Sequence, residues 1–201
     1  FRYPKFGPGQ LWETTAAEVE RMGGKLVRHA CADKIRVENG NVVGVEADGW
    51  FYDGDVVISS MPLKDLVAGM DDVPQDIRAI AEGLPYRDFV TMGILVDRLA
   101  LKNETKLLTL NNIIPDCWIY VQDTGVKMGR IQVFNNWSPY LGEKPEDTVW
   151  LGVEFFCEEG DDFWNLSEQE CGELSVRELK RIGVLDENSK VLDWHRERVK
   201  K

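Results

Sequence analysis

The sequence lacks the signatures of several functional classes. Its four cysteines are scattered without a C-x-x-C pair, so we expect neither a zinc site nor a disulfide framework and anticipate a reducing, cytoplasmic setting. No G-x-S-x-G stretch occurs, which excludes the nucleophile elbow of α/β-hydrolases. No apolar run approaches the roughly 18 residues of a membrane-spanning helix, and no span is predicted.

Positive charge is also scarce. The chain of 201 residues carries 24 Lys and Arg against 35 Asp and Glu, for a net charge of −11. A nucleic-acid backbone would be repelled, so we expect no nucleic-acid partner. The 43% of hydrophobic residues is enough for a substantial core.

The first part of the chain is patterned as a helix followed by strands. Apolar or small side chains recur at helical spacing at Leu11, Trp12, Thr15, Ala16, Val19 and Met22. Gly23-Gly24 is expected to end this helix. Strands are then predicted from Lys25 onward, and Asn39-Gly40 between alternating apolar residues predicts a tight hairpin. The apolar run Val56–Ile58 predicts a buried strand.

The rest of the chain favours an antiparallel sheet with helices. A short helix is expected over 72–84, followed by four strands that alternate apolar and polar residues: "RDFVTMGILVDR", "CWIYVQD", "GRIQVFNNW" and "TVWLGVEFFCEE". Ser167 and Glu170 form a capping box for a last helix, with Gly183 after its end. A final strand is predicted over 190–199. The fold class is therefore α/β (α+β), with a βαβ-like part and a mixed or antiparallel sheet with flanking helices.

The ends suggest a piece of a longer polypeptide. The chain begins at Phe1 without an initiator Met, already inside a patterned segment, and stops at Lys201 directly after the last predicted strand. We therefore expect that the remainder of a parent chain is a partner of this one.

The loop "FGPGQ", which contains Gly7 and Gly9, precedes the first helix. It lacks the G-K-[ST] ending of a P-loop, and it lacks both the preceding strand and the third glycine of a dinucleotide-binding fingerprint. From this motif alone, the loop is equally consistent with the simple start of a helix.

The order of motifs resembles a known superfamily. The loop and helix are followed by Gly-Gly, a strand with "A-D-K-I", the Asn-Gly hairpin, "G-V-x-x-D-G" and "G-D-V-V-I-S-S-M-P". This succession resembles the middle of flavin amine oxidases, phytoene desaturases and protoporphyrinogen oxidases. The stretch "YPKFGPGQLW" is most similar to UDP-galactopyranose mutases and mutase-like FAD-dependent oxidoreductases.

The resemblance implies a cofactor and a set of contacts. Residues 1–64 would be a partial FAD-binding segment, 65–189 a substrate-binding domain and 190–201 a return strand toward the FAD domain. The implied FAD contacts are Gly7, Gly9, Ala32 (where the family usually has Val), Ser59, Ser60 and Met61. The family's phosphate-holding strand–G-x-G-x-x-G–helix segment is absent from this sequence, so we expect that the chain alone does not hold FAD tightly.

Three functions remain open. The first is an FAD-dependent oxidoreductase whose substrate domain lies in this chain. This chain alone would then be inactive. The second is a UDP-galactopyranose mutase-like isomerase that acts on a nucleotide-sugar with reduced flavin. The third is a non-catalytic carbohydrate-binding or interaction module that uses only the aromatic sheet.

The aromatic strands supply the candidate substrate residues. On strands, Trp118, Tyr120 and Gln122 would share one face, and Arg130, Gln132, Phe134 and Asn136 would share another. Rings with directed donors suit a sugar-like or polar planar ligand. The candidates are Trp118, Tyr120, Gln122, Arg130, Asn136 and Trp137. The alternative is that these rings pack against a helix.

No catalytic residue is assigned from the sequence. The two histidines, His29 and His195, are far apart and have no carboxylate at metal-ligand spacing, so no metal is expected. His195 is interpreted as lying on an exposed strand face. The acidic cluster over 158–162 precedes a helix, where negative charge is favourable, and is interpreted as a solvated cap.

Overall fold

The computed structural model describes residues 2–200, which form two compact units. The larger unit contains residues 2–18 and 87–200, and the smaller unit contains residues 19–86. Expectations that concern Phe1 and Lys201 fall outside the described residues. Helices and antiparallel sheets occur together, which confirms the predicted fold class. The division into cofactor and substrate domains at residue 64 stays a prediction.

The elements follow one another along the chain in this order. The helices are α1 (Pro8–Arg21), α2 (Leu63–Gly69), α3 (Gln75–Glu82), α4 (Phe134–Trp137) and α5 (Glu168–Arg181). The strands are β1 (Ala32–Glu38), β2 (Asn41–Ala47), β3 (Trp50–Asp53), β4 (Asp88–Val96), β5 (Trp118–Tyr120), β6 (Arg130–Val133), β7 (Val149–Cys157) and β8 (Val191–Val199). No helix among these is long and apolar enough to cross a membrane.

The smaller unit is built on the predicted hairpins. Its three-stranded sheet has the order β1-β2-β3, with antiparallel pairs. Asn39 and Gly40 both have positive φ, 51° and 77°, as the tight turn between β1 and β2 requires. The turn from β2 to β3 repeats this geometry at Asp48 and Gly49. Turn chemistry therefore fixes the pairing next to each turn, while the β1–β2 register shifts farther along, between Arg36 and Val37 and between Ala32 and Lys34.

Two strand predictions in the smaller unit are wrong. Residues 25–31 are irregular, and β1 begins only at Ala32. The run Val56–Ile58 is not a strand, and its Val56 and Ile58 side chains are 80% and 93% exposed. A buried strand needs neighbours on both edges and covering layers. Within residues 2–200, no strand pairs with this run.

The larger unit is a five-stranded antiparallel sheet of order β5-β6-β7-β4-β8. Side chains alternate between its faces, so one face forms the core with α5. The core side chains of the sheet are fully buried or nearly so: Val90, Met92, Ile94, Val96, Ile131, Val133, Val149, Leu151, Val153 and Phe155. The strand that we expected to lead toward another domain, β8, pairs with β4 as an edge of this sheet.

Helix α5 begins and ends as the sequence predicts. The Ser167 side chain accepts a hydrogen bond from the Glu170 amide, while the Glu170 carboxylate accepts one from the Ser167 amide. These reciprocal bonds satisfy amides at the helix start that have no partner within the helix. After the C-cap at Ile182, Gly183 takes φ 77°. The helix lies close to β8, since a Cβ at Gly172 would approach the Trp194 ring to 2.7 Å.

Strand β6 is shorter than the sequence predicts. It ends at Val133, and residues 134–137 form the helical turn α4. Asn135 causes this early end: its Oδ1 accepts from the Trp150 amide at 2.9 Å, and its Nδ2 donates to the Thr148 carbonyl at 2.8 Å. Asparagine side chains compete in this way with ladder bonds of the backbone. Phe134 and Asn136 therefore do not extend the predicted strand face.

Candidate functional site

The face of the larger sheet opposite the α5 core, here called the open face, carries the candidate substrate residues. Tyr120 lies opposite Arg130, which lies opposite Glu154 on the next strand. One step along, Trp118 lies opposite Gln132. The intervening residues of these strands point into the core. The sheet register thus brings one cation, one carboxylate, one amide and two rings together.

Glu154 is the buried centre of this group, with only 3% of its surface exposed. Its Oε2 accepts from Nε of Arg130 at 2.6 Å and also from Nη2, and its Oε1 accepts from Nε2 of Gln132 at 2.7 Å. A buried carboxylate is stable only when it is paired and hydrogen-bonded, and both oxygens meet that condition here. Glu154 therefore fixes the positions of both side chains.

Two aromatic rings hold the Arg130 guanidinium in addition to Glu154. Its central carbon lies 4.9 Å from the centroid of the Trp118 ring and 5.0 Å from that of Phe156. Both distances are in the range of cation–π contacts. Gly129 leaves room for this arrangement, because a Cβ there would lie 2.5 Å from the Phe156 ring. The Arg130 plane is consequently fixed in one orientation.

Exposed aromatic surface continues outward from Arg130. Trp118 and Tyr120 stack with centroids 6.4 Å apart, and they are 37% and 69% exposed. The Trp118 ring also makes an edge contact with Trp137 at 6.1 Å, and Trp137 contacts Tyr3 at 5.2 Å. Neighbouring exposed rings are typical of ligand surfaces. Trp118, Tyr120, Arg130 and Trp137 are thus brought together as a group.

Two other predicted substrate residues lie outside β5 and β6. Gln122 is exposed in the irregular segment that follows β5. Asn136 donates both amide hydrogens within the chain, to the carbonyls of Ile114 at 2.7 Å and Asp116 at 2.9 Å. Asn136 therefore positions the 114–116 segment beside the open face.

Glu154 and Phe156 were missed by sequence reasoning. Both lie in the strand "TVWLGVEFFCEE", whose apolar character draws attention to its core residues. The available signal was Glu154 itself, a single carboxylate in the middle of a nine-residue strand. Such a charge needs a partner when it is buried, and a cation on a neighbouring strand was the natural candidate.

The glycine loop is part of the larger unit and contacts the segment after β6. The Lys5 carbonyl accepts from the Ser138 hydroxyl at 2.7 Å, and the Lys5 ammonium lies 4.2 Å from the Tyr140 ring centroid. Gly7 takes φ 87°, which favours glycine, and Gly9 follows in the first turn of α1. The candidate cofactor residues of the loop and the open face thus belong to one unit.

The remaining candidate cofactor residues lie in the smaller unit. Ala32 is the first residue of β1 and pairs with Ala47. Ser59 and Ser60 are exposed in an irregular segment, where the Ser59 hydroxyl accepts from the Met61 amide at 3.2 Å. The predicted FAD contacts are therefore divided between the two units.

His195 lies on β8 with a side chain that is 65% exposed, as predicted, and the Glu197 carboxylate at 2.8 Å raises the pKa of the ring above its ordinary value. In the part of the chain that the structure describes, no group of three or more His, Cys, Asp or Glu side chains is placed to hold a metal ion.

Comparisons with known proteins address the fold. No protein-family model matches the sequence, and no curated protein does. The solved structure of reduced UDP-galactopyranose mutase matches with a TM-score of 0.76 at 18% identity, over 100% of this chain and 41% of that one. An oxidoreductase from Methanosarcina mazei matches with a TM-score of 0.65 at 17% identity, over 96% of this chain and 42% of that one.

A third solved structure gives the same result. A protein from Exiguobacterium sp. 255-15, assigned as a protoporphyrinogen oxidase, matches with a TM-score of 0.66 at 14% identity, over 96% of this chain and 38% of that one. This chain spans about two fifths of the length of the structures that it matches. The resemblance deduced from the sequence is thus confirmed for the fold: the chain is similar to part of these mutase and oxidoreductase structures.

Proposed function

We propose that this chain is part of an FAD-dependent oxidoreductase and that its open face binds the substrate. The observation that carries this proposal is the match of the entire chain to 41% of the reduced UDP-galactopyranose mutase structure. The succession of motifs in the sequence, which resembles flavin amine oxidases, supports it independently. The four unpaired cysteines support a reducing, cytoplasmic setting for the whole protein.

The residues present fit part of a flavin site. The residues on either side of Gly7 are exposed, as are Ser59 and Ser60, whereas Gly7 itself is buried. The sequence has no G-x-G-x-x-G turn, whose amides would hold the pyrophosphate. The chain would therefore share FAD with further polypeptide and would bind it weakly alone. When bound, the flavin supplies hydride acceptance, and the protein supplies position and electrostatics.

In this proposal the open face binds and orients the substrate. Trp118 and Tyr120 offer apolar ring surface, while Arg130 offers directed donors whose position Glu154 fixes. Arg130→Ala in the complete protein is expected to weaken substrate binding more than the chemical step, because Arg130 would hold substrate and not react with it. Unchanged kinetics would remove Arg130 from the site.

The encoding gene tests the flavoenzyme assignment directly. We expect the complete gene product to contain a G-x-G-x-x-G turn after a strand, with an acidic residue about 20 positions later for the ribose. Purified complete protein should show a stoichiometric flavin absorbance spectrum, whereas the 201-residue chain should be colourless. A complete protein without that turn and without flavin would refute the proposal.

A mutase is the second candidate, because the structural match with a TM-score of 0.76 is a UDP-galactopyranose mutase. This reaction rearranges a nucleotide-sugar without net redox change. Turnover of UDP-galactopyranose by the complete protein under reducing conditions would favour the mutase. Turnover of another substrate with consumption of an electron acceptor would favour the oxidoreductase. Sugar binding by a complete protein that lacks flavin would instead support the carbohydrate-binding module.

A further inference from the structure

The Arg130–Glu154–Gln132 group includes a donor nitrogen, Nη1 of Arg130, and an acceptor oxygen, Oε1 of Gln132, that Glu154 does not engage. Nε and Nη2 of Arg130 are used by Glu154, and Nε2 of Gln132 is used by the same carboxylate. Among residues 2–200, neither Nη1 of Arg130 nor Oε1 of Gln132 has a hydrogen-bond partner. The Gln132 amide orientation follows from chemistry, because an ionised carboxylate only accepts hydrogen bonds.

These two atoms belong to side chains at the edge of the aromatic surface. Arg130 has a side chain that is 23% exposed, and Gln132 is half-buried directly opposite Trp118 in the sheet register. A fixed donor and a fixed acceptor beside a ring match a ligand whose groups both accept and donate. Hydroxyl groups do both, whereas phosphate oxygens chiefly accept. The chemistry of the pair therefore favours a ligand with several hydroxyls.

The charges near Arg130 also favour an uncharged ligand over an anionic one. The Glu154 carboxylate lies within hydrogen-bond distance of the guanidinium, so an anion near Arg130 would also face a buried negative charge. Two further carboxylates of the open face, Asp193 and Glu197, lie on β8, three strands from β6. At about 4.8 Å per strand they are beyond the screening length at physiological salt, whereas Glu154 contacts the guanidinium directly.

We propose that the open face at Trp118, Arg130 and Gln132 binds an uncharged saccharide and discriminates against its phosphorylated form. The inference rests on the proposed function only in taking the open face as the substrate face. Rings stack on the apolar side of the sugar, while Nη1 of Arg130 and Oε1 of Gln132 contact its hydroxyls. Glu154 sets the discrimination because it fixes both side chains and offsets the guanidinium charge.

Matched sugars test the proposal on the 201-residue chain without flavin. Glucose, galactose and their 1-phosphates are titrated separately, and binding is followed by the indole N–H resonance of Trp118 in two-dimensional NMR. We expect the neutral sugars to shift this resonance with at least about threefold higher affinity than the 1-phosphates. Equal affinities, tighter binding of the 1-phosphates, or no response to either neutral sugar would overturn the proposal.

Variants then test the role of Glu154. Glu154→Gln removes the negative charge and is expected to raise the affinity for the 1-phosphates about tenfold. Glu173→Gln, an equal charge change at an exposed site on α5, is the control and should leave all affinities unchanged. Gln132→Leu should weaken binding of the neutral sugars. If Glu154→Gln does not fold, the wild-type comparison of neutral and phosphorylated sugars still decides the proposal.

The two proposals can fail separately. If this chain binds neutral sugars but the complete protein carries no flavin, the saccharide proposal is supported and the flavoenzyme proposal is refuted. If the complete protein contains flavin but its open face prefers the 1-phosphates, the flavoenzyme proposal is supported and the saccharide proposal is refuted.

Discussion

The ion pair between Arg130 and Glu154 is expected to be strongly coupled in folding. In Arg130→Met, a carboxylate that is 3% exposed keeps only its bond from Gln132. Removing one partner of a buried pair typically costs about 3–5 kcal/mol. Because the Arg130 side chain is 23% exposed and water can partly compensate, we expect about 3 kcal/mol in the free energy of unfolding.

A double-mutant cycle measures this coupling. Glu154→Met alone is expected to cost about 2 kcal/mol, since the remaining guanidinium can reach water. The double variant should also cost only about 2 kcal/mol, well below the sum of the single variants, because no unpaired charge remains. Urea unfolding followed by tryptophan fluorescence is a suitable assay, since every tryptophan except Trp50 lies in the larger unit.

Arg98→Met is the matched control for Arg130→Met. Arg98 forms an ion pair with Asp97 at 3.1 Å, but its side chain is 62% exposed. Exposed pairs contribute about 0–1 kcal/mol, so this variant should unfold almost as the wild type does. A cost for Arg130→Met no greater than that for Arg98→Met would contradict the expected coupling of Arg130 and Glu154. Additive effects of the two single substitutions in the double variant would contradict it as well.

Three further predictions concern stability. Glu178→Ala should cost about 2–5 kcal/mol in urea unfolding, because the buried carboxylate accepts from two backbone amides, including that of Met128 at 3.0 Å; a cost below 1 kcal/mol would contradict this role. Gly129→Ala should displace the Phe156 ring, which changes its NMR shifts and lowers stability by about 1–3 kcal/mol; unchanged shifts would refute the close contact. Hydrogen bonds from backbone amides, chiefly that of Trp164, lower the pKa of Asp161 below its ordinary value, so its stabilising effect is present above the unfolded pKa and is lost as the pH falls through the folded pKa. The free energy of unfolding of Asp161→Asn should therefore fall less steeply than that of the wild type as the pH is lowered. An identical pH dependence for the two proteins would contradict this prediction.

Local sequence signals predicted those parts of the fold whose causes are local. The capping box of α5 and the Asn39-Gly40 turn depend on residues within a few positions of each other, and both are present. The end of β6 depends on bonds from Asn135 to residues 13 and 15 positions away. Periodicity within a strand carries no information on such partners.

Prediction of the candidate site from the sequence has the same limit, because some of its contacts join distant strands. Exposed rings and a cation on neighbouring strands were identifiable, so Trp118, Tyr120 and Arg130 were selected from the sequence. Glu154 stands out in the sequence as a lone carboxylate in an apolar strand, but its pairing with Arg130 became evident only from the register of β6 with β7, which neither segment encodes alone. The prediction of a buried strand at Val56–Ile58 was wrong for a related reason, because an apolar pattern does not indicate whether a neighbouring strand is present.

Trp137 gives the protein an internal optical reporter. Its indole lies 6.1 Å from Trp118 on the open face and 5.2 Å from Tyr3 in the segment before the glycine loop. Chromophores this close share their electronic excitations, so their ultraviolet circular dichroism depends on mutual geometry. A ligand that moved either ring would therefore change a signal native to the chain, and occupancy of either region could be followed without a label.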